Sequence, residues 1–163
     1  MNCCNYNNHH YIFPMSIEQD IKQEKFENEF HKAAVNLLFT SSWLHNINSG
    51  RLKAHDVTPE QYNVLRILRG SQPNALMLAE ITSRMIDKSS NATRLVEKLR
   101  QKGLVKREIC ENNRRQVDIY ITPKGLEVLS KIDKDPDSMQ TTLKKLSKSD
   151  AQELNRILDK LRS

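Results

Sequence analysis

Glycine and proline are scarce, at four and five in 163 residues, which leaves little room for long flexible or low-complexity linkers. No apolar run approaches the ~20 residues that a membrane-spanning helix needs. Met1-Asn2-Cys3-Cys4-Asn5 has neither the basic start nor the apolar centre of a secretion signal. A soluble, cytoplasmic protein with no membrane partner is therefore expected. Cysteine is rare as well: three residues, two of them adjacent, do not make a disulfide framework. Cys3, Cys4, His9 and His10 carry metal-ligating groups, but neighbouring cysteines seldom face one ion and no paired loops frame them, so no metal site is expected. Glycine-rich phosphate loops, His-Glu-x-x-His and Cys-x-x-Cys are all missing, and His31, His45 and His55 are scattered. No catalytic centre and no cofactor are expected.

What is plentiful is positive charge, and it is concentrated. Between Arg84 and Gln116 stand ten basic residues and four acidic ones, which accounts for the whole net charge of +6. The rest of the chain is balanced, with 16 residues of each sign. Excess charge confined to about a fifth of a chain is the footprint of a surface that meets phosphates. The first 14 residues, by contrast, contain no Lys, Arg, Asp or Glu. Residues 1–15 read as a flexible leader, with Met1 and Met15 both open as natural starts.

Helical periodicity organises much of the remainder. Ser16-Ile17-Glu18-Gln19 reads as a capping box, and apolar residues recur at helical spacing from Phe26 through Leu37, Leu38 and Leu44 to Ile47. One long helix from Ser16 to about Asn48, stopped by Gly50, is predicted. Its stripe is too long for one small domain to cover, so a second subunit is the natural cover. Thr58-Pro59-Glu60-Gln61 is a second capping box, opening a helix with Tyr62, Leu65 and Leu68 inward. Ala75 to Leu78 reads as a minor strand, Ala79 to Met85 as a short helix with Leu78 in the cap place, and Asp87 to about Lys102 as another helix closed by Gly103.

After Gly103 the period becomes two. Val105, Arg107 and Ile109 share one side of a strand and Val117, Ile119 and Ile121 one side of the next, so the pair reads as a hairpin with a basic tip. Thr122-Pro123 starts a helix that Pro136 interrupts. Ser149-Asp150-Ala151-Gln152 reads as a third capping box, followed by Leu154, Ile157, Leu158 and Leu161.

Short helices joined by a tight turn and followed by a basic hairpin are the plan of a winged helix-turn-helix. The second helix of such a pair fits a DNA major groove, and its first turn must offer small polar groups and long donors. Lys88, Ser89, Ser90, Asn91, Thr93 and Arg94 meet that need. Lys98, further along, suits a phosphate, while Arg114 and Arg115 at the hairpin tip suit a minor groove or backbone. The chain is thus mainly α with a small β-hairpin wing. Its expected parts are the leader (1–15), an N-terminal dimerisation helix (16–55), the winged helix-turn-helix (56–122) and C-terminal dimerisation helices (123–163).

The run from Met85 to Leu99, followed by Gly103-Leu104-Val105, resembles the recognition-helix signature of the MarR family of bacterial transcription regulators. Asn113-Arg114-Arg115 with Ile121-Thr122-Pro123-Lys124-Gly125 is similar to that family's wing and the helix after it. One departure is Asn113, where the family usually has an acid. The resemblance implies a homodimer with interlocked first and last helices, binding palindromic double-stranded DNA. It also implies a repressor relieved by a small aromatic or phenolic effector, with Ser89 to Arg94 in the major groove and Arg115 in the minor groove. Phe39, Trp43, Tyr62 and Arg66 are the candidate effector residues. Two alternatives stay open from the sequence: a redox-responsive regulator using Cys110, whose thiol Arg107 and Arg114 would activate, and a winged helix used only for protein contacts.

Overall fold

A computed structural model gives the fold of residues 16–110, 113–136 and 139–163. The side chains of residues 110, 113–116, 139 and 140 lie outside the described part, as do residues 1–15. The chain divides into two compact units, Met1–Trp43 and Leu44–Ser163.

In the first unit the capping box at Ser16 is present and opens α1 (Ile17–Ile21). The helix does not run on as predicted: Lys22 takes a left-handed backbone at φ 54°. Lys22 to Lys25 are all polar, so continuing the helix there would bury nothing. The next helix, α2 (Glu29–Lys53), begins where the Asn28 carboxamide accepts the His31 amide at 2.9 Å. A Lys32–Glu18 ion pair at 2.6 Å ties the two helices, and the Lys32 ammonium holds the Glu18 carboxyl down at about 2.

Gly50 does not stop α2 either, which passes through it and ends at Lys53. A glycine inside a helix costs ~1 kcal/mol relative to alanine. The last turn carries Leu52 into complete burial, a gain of roughly 1.5–3 kcal/mol that outweighs it.

The second unit holds one core. Its further elements are α3 (Pro59–Gly70), α4 (Leu78–Arg84), α5 (Ala92–Gln101), β1 (Val105–Cys110), β2 (Asn113–Ile121), α6 (Pro123–Asp133), α7 (Met139–Leu143) and α8 (Lys148–Arg162). The Thr58 capping box is made as the sequence predicts, with Gln61 buried behind it. Val64, Leu65 and Leu68 of α3 meet Ile81 of α4, Val96 and Leu99 of α5, Ile119 and Ile121 of β2, and Leu129 and Ile132 of α6. The helix α3 is therefore the hub on which α4, α5, β2 and α6 pack.

The hairpin pairs Val105 with Ile121, Arg107 with Ile119 and Ile109 with Val117, so the two predicted faces coincide. Its inner end is buried through Val105, Ile119 and Ile121, while Ile109 near the tip is exposed. The predicted minor strand shrinks to a single antiparallel bridge, Leu76 to Ile119. Gln72-Pro73 just before it is cis.

Three helix starts differ from expectation. Met77, not Leu78, precedes α4, and the Glu80 carboxylate caps it by accepting the Met77 amide at 2.8 Å. The recognition segment becomes helical only at Ala92, not at Asp87. For α8 the cap is Ser147 paired with Asp150, not the Ser149 box. Ser147 Oγ accepts the Asp150 amide at 3.1 Å and donates to its carboxylate at 2.7 Å, so the earlier serine adds two helical residues. Pro136 falls beyond α6, which ends at Asp133. No residue of α8 is buried.

Candidate nucleic-acid interface

The turn from Met85 to Asn91 joins α4 to α5, and several hydrogen bonds hold it in shape. Asn63 of α3 accepts the Ile86 amide at 3.0 Å. Lys88 Nζ donates to the Ser83 carbonyl at the end of α4. The Asp87 carboxylate accepts the Ser89 amide at 2.9 Å, and the Ser89 and Ser90 hydroxyls at 2.7 Å each. Those hydroxyls hold the Asp87 carboxyl below the usual carboxylate range, the Ser89 side chain contributing most.

Asn91 is the N-cap of α5, and its Oδ1 accepts the Arg94 amide at 3.0 Å. The sequence pattern predicts Ser89, Ser90 and Asn91 on the helix. They lie instead in the turn before it, because Asp87 and Asn91 offer the backbone competing hydrogen bonds that favour turns over helix.

Along α5, Ala92, Val96 and Leu99 are buried, which presents Thr93, Arg94 and Lys98 to solvent. Most basic residues of this region are committed to local partners. Arg100 is bidentate on Glu97, and Arg107 of β1 approaches the same carboxylate at 3.8 Å. Lys102 pairs with Asp56 at 3.0 Å. Lys106 pairs with Glu108 at 2.6 Å and lies over the Tyr120 ring. Arg94 and Lys98 make no ion pair among the described residues. They sit four apart on one helix, so both heads fall on one exposed face.

The wing is anchored at its base. Thr122 Oγ1 donates to the Gly103 carbonyl at 2.8 Å, Lys124 Nζ to the Lys102 carbonyl at 2.9 Å, and Gly103 has φ +72°. Arg114 and Arg115 open β2 by their backbone, but their side chains lie outside the described residues, as does that of Cys110. Cys3, Cys4, His9 and His10 also lie outside them. Among the described residues no cluster of potential metal ligands occurs, and no helix is long and apolar enough to cross a membrane.

The candidate effector residues fall in both units. Phe39 and Trp43 of the first are partly exposed on α2. In the second, Arg66 Nη1 donates to Tyr62 Oη at 2.9 Å and its guanidinium lies 5.7 Å from the ring centroid. Arg51, which sequence reasoning passes over, lies 5.8 Å from the same ring. Its Nε is buried without a partner among the described residues, although Nη2 donates to Asn48 at 3.0 Å. Arg51 and Tyr62 sit on different helices joined by a turn, so no single periodicity in the sequence pairs them. A separate open cleft of about 660 Å³, bounded by Lys53, Asp56, Gln61 and Lys98, includes none of the four effector candidates.

A preformed turn, a solvent-facing helix with two cations that make no ion pair among the described residues and an anchored antiparallel hairpin define a winged helix-turn-helix domain. The family model for the MarR family matches residues 57–117, the span that holds the turn, the helix and most of the hairpin. An uncharacterized HTH-type transcriptional regulator of Bacillus subtilis, YkoM, is 33% identical over 113 residues, covering 66% of this chain and 71% of its own. The chain belongs to the MarR family, and is a transcriptional regulator, not an enzyme.

Two solved structures share the fold. MepR of Staphylococcus aureus in complex with DNA has a TM-score of 0.71 and 21% identity, over 84% of this chain and 97% of that one. The organohalide-sensing regulator RdhR, in a form bound to 2,4-dichlorophenol, has a TM-score of 0.73 and 16% identity, over 86% and 85%.

Proposed function

We propose that the protein is a homodimeric, cytoplasmic repressor that occupies a palindromic operator and leaves it when a small aromatic or phenolic compound binds. The observation that carries the DNA reading is the pair Arg94 and Lys98, uncommitted on the exposed face of α5. In this reading Lys88, Ser89, Ser90, Asn91, Thr93 and Arg94 enter the major groove. Lys98 meets a phosphate, and Arg114 and Arg115 extend the contact through the wing. MepR, which shares the fold, has been captured on DNA. Two copies related by a two-fold axis would present two such helices, and a two-fold reader selects a two-fold site.

The apolar residues left exposed supply the dimer contact. Phe30 and Leu38 on α2 are 86% and 73% exposed, and Ile157 and Leu161 on α8 are 49% and 67% exposed, a cost that a second subunit would remove. For the effector, the two guanidinium groups flanking Tyr62 are the supporting feature. An aryl carboxylate or phenolate would stack on the ring and neutralise Arg51 and Arg66. RdhR, a fold relative, binds 2,4-dichlorophenol.

Footprinting of the promoter beside the protein's own gene tests the proposal. Two protected half-sites related by a dyad are expected, with protection lost on titration of a panel of benzoates and phenols. A single unpaired footprint would remove the palindrome and dimer. Protection that no aromatic compound reverses, with Arg66→Ala behaving as wild type towards the panel, would remove the effector reading.

A further inference from the structure

Both serine hydroxyls of the recognition turn are spent inside the protein. Asp87 takes the Ser89 amide and hydroxyl on Oδ1 and the Ser90 hydroxyl on Oδ2. The Ser90 amide points back to the Asp87 carbonyl. What the two serines keep for an incoming duplex is oxygen lone pairs. Phosphate oxygens accept but do not donate, so a backbone phosphate here would meet lone pairs and a carboxylate at once. Base edges differ: adenine N6 and cytosine N4 carry amino protons in the major groove.

We propose that Asp87 is a specificity-determining residue: by holding the hydroxyl protons of Ser89 and Ser90 it makes the recognition turn accept amino-bearing base edges and reject phosphates. This rests on the major-groove reading of the proposed function. It assigns phosphate contact to Lys98 and the wing, and base selection to the turn together with Arg94. The carboxylate acts by penalising the wrong partner as much as by favouring the right one. A carboxylate on a DNA-facing surface otherwise only weakens binding, by repelling phosphates. Holding two hydroxyls in one polarity is a compensating role for a carboxylate that is charged at neutral pH.

Asp87→Asn tests this, being isosteric and exposed. The amide oxygen can keep the Ser89 bonds on one side, while the amide nitrogen opposite Ser90 donates instead of accepting and frees the Ser90 proton. Binding is measured by fluorescence anisotropy against a duplex selected from a random pool by the wild type and a scrambled duplex of equal composition, at one salt concentration. The variant is expected to bind the scrambled duplex about three- to tenfold tighter, with the selected-to-scrambled affinity ratio falling about tenfold. Adding Ser90→Ala should remove most of the gain. Ser90→Ala alone should weaken the selected duplex about tenfold and leave the scrambled one unchanged, a result that stands even if Asp87→Asn folds poorly.

Equal losses on both duplexes in either single variant, or a gain that survives Ser90→Ala undiminished, overturn the proposal while leaving DNA recognition intact. A wild type that selects no sequence from the pool overturns the major-groove reading itself, and the proposal with it.

Discussion

Arg94 and Lys98 differ in what they are placed to do, although each is an exposed cation on α5. Arg94 stands in the first turn, beside the cap, where a guanidinium reaches a guanine edge. Replacing it with alanine should weaken the selected duplex about ten- to hundredfold and relax selectivity at one base position. Lys98, one turn further on, should act as a point charge. Lys98→Ala should weaken every duplex alike and reduce the salt slope by about 0.9. Asn91 also serves the fold: its Oδ1 caps α5, and Asn91→Ala should cost ~1 kcal/mol, read as a lower Tm. Asp87 titrates below the ordinary aspartate value of 3.8. A carboxyl depressed in the folded state stabilises it above the unfolded-state value, and that contribution fades as pH falls through the folded value. The turn should therefore be unchanged between neutral pH and pH 5, and a carboxyl resonance of Asp87 titrating at or above 3.8 would contradict its hydrogen bonding. The exposure of Thr93, Arg94 and Lys98 was legible because the apolar residues Ala92, Val96 and Leu99 claim the opposite face of α5. The pairing of Ser89 and Ser90 with Asp87 was not, since a serine before a helix reads equally well as its cap.

The elements were legible where one local signal dominates. Thr58 and Thr122, each followed by proline, mark the starts of α3 and α6 as predicted, and the period-two pattern gives the hairpin its register. Prediction failed where two local choices lie close in energy. Ser147 and Ser149 both precede an Asp or Gln, and the choice went to the longer helix. Gly50 looked like a stop because burial of Leu52 is a tertiary gain that no local pattern displays. The break at Lys22 needed a left-handed non-glycine residue, which sequence rarely announces. Gly125 is the element-scale test. A Cβ there would lie 2.3 Å from the Leu104 carbonyl oxygen and 2.8 Å from Ile121 Cγ1, where α6 crosses the base of the wing. Backbone cannot yield as a flexible side chain does, so Gly125→Ala should cost about 3 kcal/mol or more. Thermal unfolding should show a Tm lower by roughly 6–12 °C, and an unchanged Tm would mean that α6 does not pack so closely on the wing.

At the scale of the molecule, composition and charge placement narrow the choice of function by themselves. A chain whose whole excess charge falls between Arg84 and Gln116 is expected to meet phosphates there. The fold refines this, because local carboxylates engage many of those cations and, among the described residues, leave the α5 pair without an ion pair. Assembly was legible only as a stripe needing cover. If α8 supplies part of that cover, Ile157→Asp with Leu161→Asp should shift the sedimentation coefficient from dimer to monomer and lower operator affinity with it. An unchanged coefficient would place the interface elsewhere. The central claim, that the α5 face reads DNA, is tested most directly by affinity for a panel of duplexes across a salt series, wild type beside Arg94→Ala and Arg115→Ala. Tight binding to one palindrome, a steep fall with salt and a loss in both variants are predicted. Weak binding indifferent to sequence, salt and both substitutions would contradict the account and leave a winged helix whose partners are proteins.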